Sequence, residues 1–151
     1  MKKVISILGS TGSIGAHSLK ILNSKKNFFE YYVFAADKNY QLICKQIVKF
    51  KPQIFIINDN KVLEKVKKKF KNNKVQIFST SNYQKKLLKK SDITIAAIPG
   101  IAGLEPTIAL TKKSKKILIA NKESVICGWD LIKKAALKNK TKIIPIDSEH
   151  F

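Results

Sequence analysis

The chain contains no arginine: all 30 basic residues are lysine, set against 10 acidic residues, for a formal net charge of +20. Such a charge suggests a polyanion partner. Arginine, however, is the residue expected for bidentate phosphate and base-edge contacts. The lysines are also spread along the whole chain among abundant Asn and Ile. That distribution reads as a compositional bias at solvent-facing positions, and it argues against specific nucleic-acid binding as the main function. A basic interaction protein acting through this charge would show a steep salt dependence together with sequence-selective binding, whereas weak binding lost by moderate salt means counterion electrostatics only.

Cysteine is nearly absent. Cys44 and Cys127 form no CxxC pair and lie far from His17 and His150, which excludes a zinc-ligand spacing. Cys44 falls on the apolar side of a predicted helix and reads as a packed thiol. No apolar run approaches the ~18 residues of a membrane span. The N-terminal apolar stretch VISIL is five residues long and runs straight into a glycine turn, which argues against a signal peptide. The expectation is a cytoplasmic protein with no membrane partner.

What is present is a strand–helix alternation. The 151 residues, 44% of them hydrophobic, suffice for one domain with a core. Apolar runs at 4–8, 31–36, 53–57, 75–78, 92–98, 116–120 and 143–146 predict strands. Helical spacing joins Gly15, Leu19 and Leu22. It recurs in Ile43, Ile47 and Phe50 (stopping before Pro52), in Leu63, Val66 and Phe70, and in Val125, Trp129, Ile132 and Ala136. Tyr83 and Leu87 suggest a short helix, and Pro106 fits the first turn of another ending near Lys113. The lysine run at 65–71 reads as a solvated helix face. Continuous apolar strands alternating with helices predict an α/β fold, a doubly wound parallel sheet with helices on both faces.

Four stretches carry chemistry. ILGSTGSIG (7–15) joins the first strand to the first helix. Its glycines would permit the tight turn (Gly9), a close approach to a pyrophosphate (Gly12) and close packing of the helix (Gly15), with Thr11 and Ser13 as hydroxyl donors. The second strand ends in Asp37-Lys38. An acid there suits a ribose 2′-hydroxyl, and a cation suits a 2′-phosphate, so the residues leave the choice of NAD or NADP open. In ANKES (120–124), Asn121 suits an N-cap, Glu123 complements the positive helix end, and Lys122 could face an anionic ligand. In PIDSEH (145–150), Asp147 and Glu149 are hard-oxygen donors suited to Mg²⁺ or Mn²⁺, two ligands of an incomplete set.

Taken in order and spacing, LGSTGSIG, AAIPGIAGLEPT, ANKESVICGW and PIDSEHF resemble the N-terminal part of the 1-deoxy-D-xylulose 5-phosphate reductoisomerases, from residue 4 to 151. The resemblance implies a Rossmann-like NADPH-binding domain over 1–146, with 147–151 opening the metal- and substrate-binding part. It implies a rearrangement of 1-deoxy-D-xylulose 5-phosphate, with reduction by NADPH to 2-C-methyl-D-erythritol 4-phosphate, in non-mevalonate isoprenoid biosynthesis. Thr11, Gly12, Ser13 and Ile14 match the cofactor phosphate turn. Lys38 and Asn39 match contacts near the 2′-phosphate, and Asn121 and Glu123 match further cofactor contacts. Lys122 and Ser148 match substrate contacts, Asp147 and Glu149 metal ligands, and His150 an active-site histidine; Glu149 also faces substrate.

The chain departs from the family pattern in two ways. Asp37 stands where the family usually has glycine. The family's chains are also more than twice as long, the remainder supplying a third metal ligand, the substrate-phosphate site, a lid and a helical domain. The expectation is therefore a piece that binds dinucleotide without turnover, poorly soluble through uncovered apolar surface, with homodimers expected of a full-length chain. The competing reading is a free-standing NADP(H)-binding module.

Overall fold

The computed structural model describes residues 1–146. Seven parallel strands form one sheet: β1 (Lys3–Leu8), β2 (Phe29–Ala36), β3 (Ile54–Ile57), β4 (Gln76–Ser79), β5 (Ser91–Ala96), β6 (Ser114–Ile119) and β7 (Lys142–Pro145). Their order is β4-β3-β2-β1-β5-β6-β7. The chain winds outward from β1 to β4, returns to the middle, and winds out the other way through β5 to β7. The reversal falls between β1 and β5, the place where doubly wound sheets open a crevice at their carboxyl ends.

Five helices cover the sheet: α1 (Ser13–Asn23), α2 (Tyr40–Phe50), α3 (Asn60–Lys69), α4 (Leu104–Thr111) and α5 (Lys122–Asn139). Leu19, Ile43, Ile47, Leu63 and Val66 of α1 to α3 join Ile5, Ile7, Phe34, Phe55 and Ile57 in one buried layer. Ala109, Leu110 and Ile132 of α4 and α5 pack with Leu8, Val33, Ile56, Ile117 and Ile119 in the other. Helices thus lie on both faces, as the strand–helix alternation predicts. Cys44 is buried in the first layer, Cys127 is exposed, and the lysines of α3 face solvent.

A bulge in β2 sets which side chains face which layer. Ile5 pairs with Tyr31 and Ile7 with Phe34, so one residue of β1, Ser6, opposes two of β2, Tyr32 and Val33. Tyr32 and Val33 consequently face the same layer. The Val33 N–H, displaced from the ladder, donates to the buried Ser6 Oγ at 3.2 Å. Ser6 also shares a 2.6 Å hydrogen bond with Ser91 Oγ of β5.

Three expectations are corrected. β5 ends at Ala96, because beyond Ala97 the carbonyls of Ile98 and Gly100 turn to an asparagine side chain instead of a strand. The residues around Tyr83–Leu87 form a 3₁₀ turn (Gln84–Lys86), with Tyr83 and Leu87 buried on either side. In α5 the buried positions are Ser124, Gly128, Ile132, Ala135 and Ala136, while Trp129 is 41% exposed. Gly128 leaves helical geometry (φ −138°, ψ 21°), which shifts the helix phase away from Trp129. A Cβ on Gly128 would run into Leu104 of α4, so the small residue is what lets the two helices touch.

Candidate functional site: a cleft at the strand-order switch

The glycine turn lies at the switch between β1 and β5. Gly9 has φ +80°, and a Cβ there would stand 2.6 Å from the Ala97 carbonyl oxygen. Any side chain would therefore be strained in conformation and also driven into the segment after β5. The Gly9 and Ser10 N–H groups both donate to the Ala35 carbonyl, which stitches the turn to β2. Ser10 is buried; its Oγ donates to Gln46 Oε1 at 2.7 Å, and Gln46 Nε2 donates back to the Ser10 carbonyl at 2.8 Å. This reciprocal pair fixes the turn to α2. Gly15 packs against the turn itself: a Cβ would overlap the Gly9 carbonyl oxygen and come 2.8 Å from Ser10 Cα.

Gly12 caps α1 without a side-chain hydrogen bond. The first N–H groups of a helix have no intrahelical partner, so those at the start of α1 point outward uncapped. Ser13 and Ile14 are exposed, and Thr11 and Gly12 are half-buried. Beside them opens a cleft of about 340 Å³, lined by residues that include Leu8, Gly9, Thr11, Gly12, Asp37 and Tyr83. Apolar side chains at the strand ends, among them Leu8, Ala35 and Ile56, line it together with the polar Asp37, Asn58 and Thr80.

The rim is organised by side chains that only the sheet order brings together. Asp37 Oδ1 accepts from Asn58 Nδ2 at 2.9 Å, and Asn58 Oδ1 accepts from Thr80 Oγ1 at 3.3 Å. These residues follow β2, β3 and β4 respectively, and all three line the cleft. Lys38 and Asn39 are exposed beside them. Asn39 also caps α2, its Oδ1 accepting from the Leu42 N–H at 3.1 Å. Tyr83 is buried at the cleft wall with its hydroxyl donating to the Glu105 carboxylate at 3.2 Å. Burial and the adjacent carboxylate push its ionisation far above the ordinary tyrosine range, so it stays a neutral donor.

Asn121 is the other organising residue. It is 4% exposed and caps α5, accepting from the Ser124 N–H at 3.0 Å. Its amide donates to the Gly100 carbonyl at 2.8 Å and to the Ile98 carbonyl. A Cβ on Gly103 would collide with that amide. Asn121 therefore clasps the segment after β5 to the start of α5, and the cap predicted for it is present. Lys122 is the first residue of α5 and exposed; Glu123 is half-buried in its first turn.

The carboxyl ends of β1, β5, β6 and β7 lie side by side: Ala97 N–H bonds to the Leu8 carbonyl, Ala120 to Ala96, and Ile146 to Ile119. The glycine turn, the ANKES segment and the approach to residue 147 thus share one edge of the sheet. Asp147, Ser148, Glu149 and His150 lie outside the described residues. Among the described residues no group of three His, Cys, Asp or Glu side chains could hold a metal ion. Nor is any helix among them long and apolar enough to cross a membrane.

A family model described as 1-deoxy-D-xylulose 5-phosphate reductoisomerase matches residues 5–128. The chain belongs to the 1-deoxy-D-xylulose 5-phosphate reductoisomerase family. A reductoisomerase of that name from Pelagibacter ubique is 43% identical over 154 residues, covering 100% of this chain and 39% of the relative. One from Buchnera aphidicola is 42% identical, covering 99% and 38%. The chain thus spans about two fifths of the length of the reductoisomerases it matches. Among solved structures, the Zymomonas mobilis reductoisomerase in complex with NADPH superposes with a TM-score of 0.90 at 26% identity, over 99% of this chain and 40% of that one. A reductoisomerase complex with NADPH, fosmidomycin and magnesium gives 0.89 at 30% identity, over 98% and 37%.

Asn58, Thr80 and Tyr83 escape the sequence reading as cleft residues. No motif marks them; they matter because β2, β3 and β4 are neighbours. A signal for Asn58 and Thr80 existed only in their position, one and two residues after the predicted strands 53–57 and 75–78.

Proposed function

We propose that this chain is the cofactor half of a 1-deoxy-D-xylulose 5-phosphate reductoisomerase. Residues 1–146 form the NADPH-binding domain, and 147–151 open the metal- and substrate-binding part. The observation that carries the reading is the cleft at the β1–β5 switch, with an uncapped helix N-terminus behind a turn that tolerates no side chain at Gly9 or Gly15. Outward N–H groups and Thr11 and Ser13 hydroxyls suit a pyrophosphate, so the residues present fit a dinucleotide. The apolar wall formed by Ile98 and Pro99 suits the flat rings beside it.

Lys122, exposed at the head of α5, supplies a cation toward the substrate, with Ser148 as a hydrogen-bonding partner. Asp147 and Glu149 would hold Mg²⁺ or Mn²⁺; two carboxylates are the right donor chemistry. The chain reaches them from Ile146, which is bonded to the ANKES strand end. When bound, the dinucleotide is the reductant and the divalent ion polarises the substrate carbonyl. Glu149 and His150 complete the catalytic side chains in this chain. The clasp of Asn121 holds the start of α5, and Glu123 beside it faces the cofactor.

The 151 residues alone bind the dinucleotide and do not turn over, because two carboxylates leave the metal shell incomplete. An assay of NADPH oxidation by the purified chain with 1-deoxy-D-xylulose 5-phosphate and Mn²⁺ tests this; a measurable rate would refute the division of labour. A free-standing NADP(H)-binding module is the second reading, favoured by a sheet and a cleft that residues 1–146 form among themselves. The intact mass of the native protein decides between them. A mass well over twice 17.0 kDa supports the enzyme and a mass near 17.0 kDa the module.

A further inference from the structure

We infer that Asp37 makes this a dual-specificity site, in which its carboxylate accepts the adenosine 2′-hydroxyl of NADH, so that the chain binds NADH alongside NADPH. The inference rests on the dinucleotide reading of the cleft. Asp37 directly follows β2 and lines the cleft. The hydrogen bond from Asn58 Nδ2 to its Oδ1 holds the carboxylate on the rim, and the Asp59 N–H fixes its backbone by donating to the Asp37 carbonyl at 3.2 Å. Among the described residues Oδ2 receives no hydrogen bond and Asp37 makes no ion pair.

An ionised carboxylate only accepts. A ribose hydroxyl can donate to Oδ2. A 2′-phosphate brings acceptor oxygens and negative charge, and so meets repulsion at the same place. Asn58 relieves this only in part, since one of its two amide N–H groups is held by Asp37 and its carbonyl by Thr80. Lys38 pulls the other way: it is exposed and, among the described residues, unpaired, so its ammonium can meet a phosphate. Asn39 adds only its NH₂, because its Oδ1 caps α2. One acid for the hydroxyl and one base for the phosphate, adjacent in the chain, leave neither cofactor excluded.

The test is titration of the purified protein with NADH and with NADPH, following nucleotide fluorescence. Dissociation constants within about tenfold of one another are expected. Asp37→Asn should tighten NADPH about tenfold and leave NADH unchanged or weaker, since one like charge near the phosphate is removed. Lys38→Ala should weaken NADPH alone. Thermal melts establish that each variant is folded. Absence of NADH binding beside tight NADPH binding overturns the inference, as does an Asp37→Asn ratio within twofold of the parent; both leave the dinucleotide reading standing. Failure of either nucleotide to bind the folded protein overturns both.

Discussion

Replacing Asn121 by alanine should destabilise the protein with no ligand present. The side chain makes three hydrogen bonds, to the Ile98 and Gly100 carbonyls and from the Ser124 N–H. A net value of about 1 kcal/mol is typical for each such bond, and loss of an asparagine N-cap alone costs about 1 kcal/mol. The residue is 4% exposed, so water cannot fully replace it. The expected loss is about 2–4 kcal/mol, or roughly 6–12 °C in Tm for a domain of this size. Urea unfolding reports it through Trp129, the single tryptophan, on the helix that Asn121 caps. Asn121→Asp is the sharper variant. It keeps a cap acceptor but removes both amide donors and turns a carboxylate toward two carbonyl oxygens, so it should lose at least as much as alanine. A loss below about 0.5 kcal/mol in both variants, with weakened NADPH binding alone, would show that Asn121 serves only as a ligand contact and would refute the clasp.

Gly15→Ala should cost about 1–3 kcal/mol or more, because the new methyl group meets turn backbone that Ser10 and Gln46 hold in place; thermal denaturation checks it. Asp92 should contribute to the acid limb of stability. Lys115 at 2.7 Å and the Val4 N–H at 2.8 Å hold its carboxyl below the usual range. A folded-state pKa lowered in this way gives stability that is present above the unfolded value near 3.8 and is lost as pH falls through the folded value. Asp92→Asn should therefore be less stable than the parent at pH 7 and converge with it as the pH falls through the lowered folded-state value, as read from urea midpoints across the acid range.

The sheet was legible because each strand is a short apolar run bounded by a turn or a helix pattern. All seven runs are strands, with ends displaced by a few residues. The glycine turn was legible for a related reason: Gly9 and Gly15 sit where backbone crowding forbids a side chain. Trp129 shows where periodicity fails. One non-helical residue, Gly128, resets the helix phase, and no spacing rule anticipates it. The Asp37–Asn58–Thr80 rim and the Asn121 clasp were invisible because they join loops that become neighbours only through strand order. Cofactor choice at Asp37-Lys38 stayed open in the sequence for a physical reason, namely that opposite charges at adjacent positions suit different ribose substituents.

The measurement that bears most directly on the central claim is an NADPH titration of the purified protein at moderate salt, repeated with Gly12→Asp. The cleft reading predicts saturable binding of one nucleotide per chain. The variant should lose it, because a carboxylate at the helix cap would occupy and repel the phosphate position. Binding that is non-saturable, or unchanged in a folded Gly12→Asp protein, would mean that the lysine-rich surface holds the anion and that the glycine turn is only a tight connection.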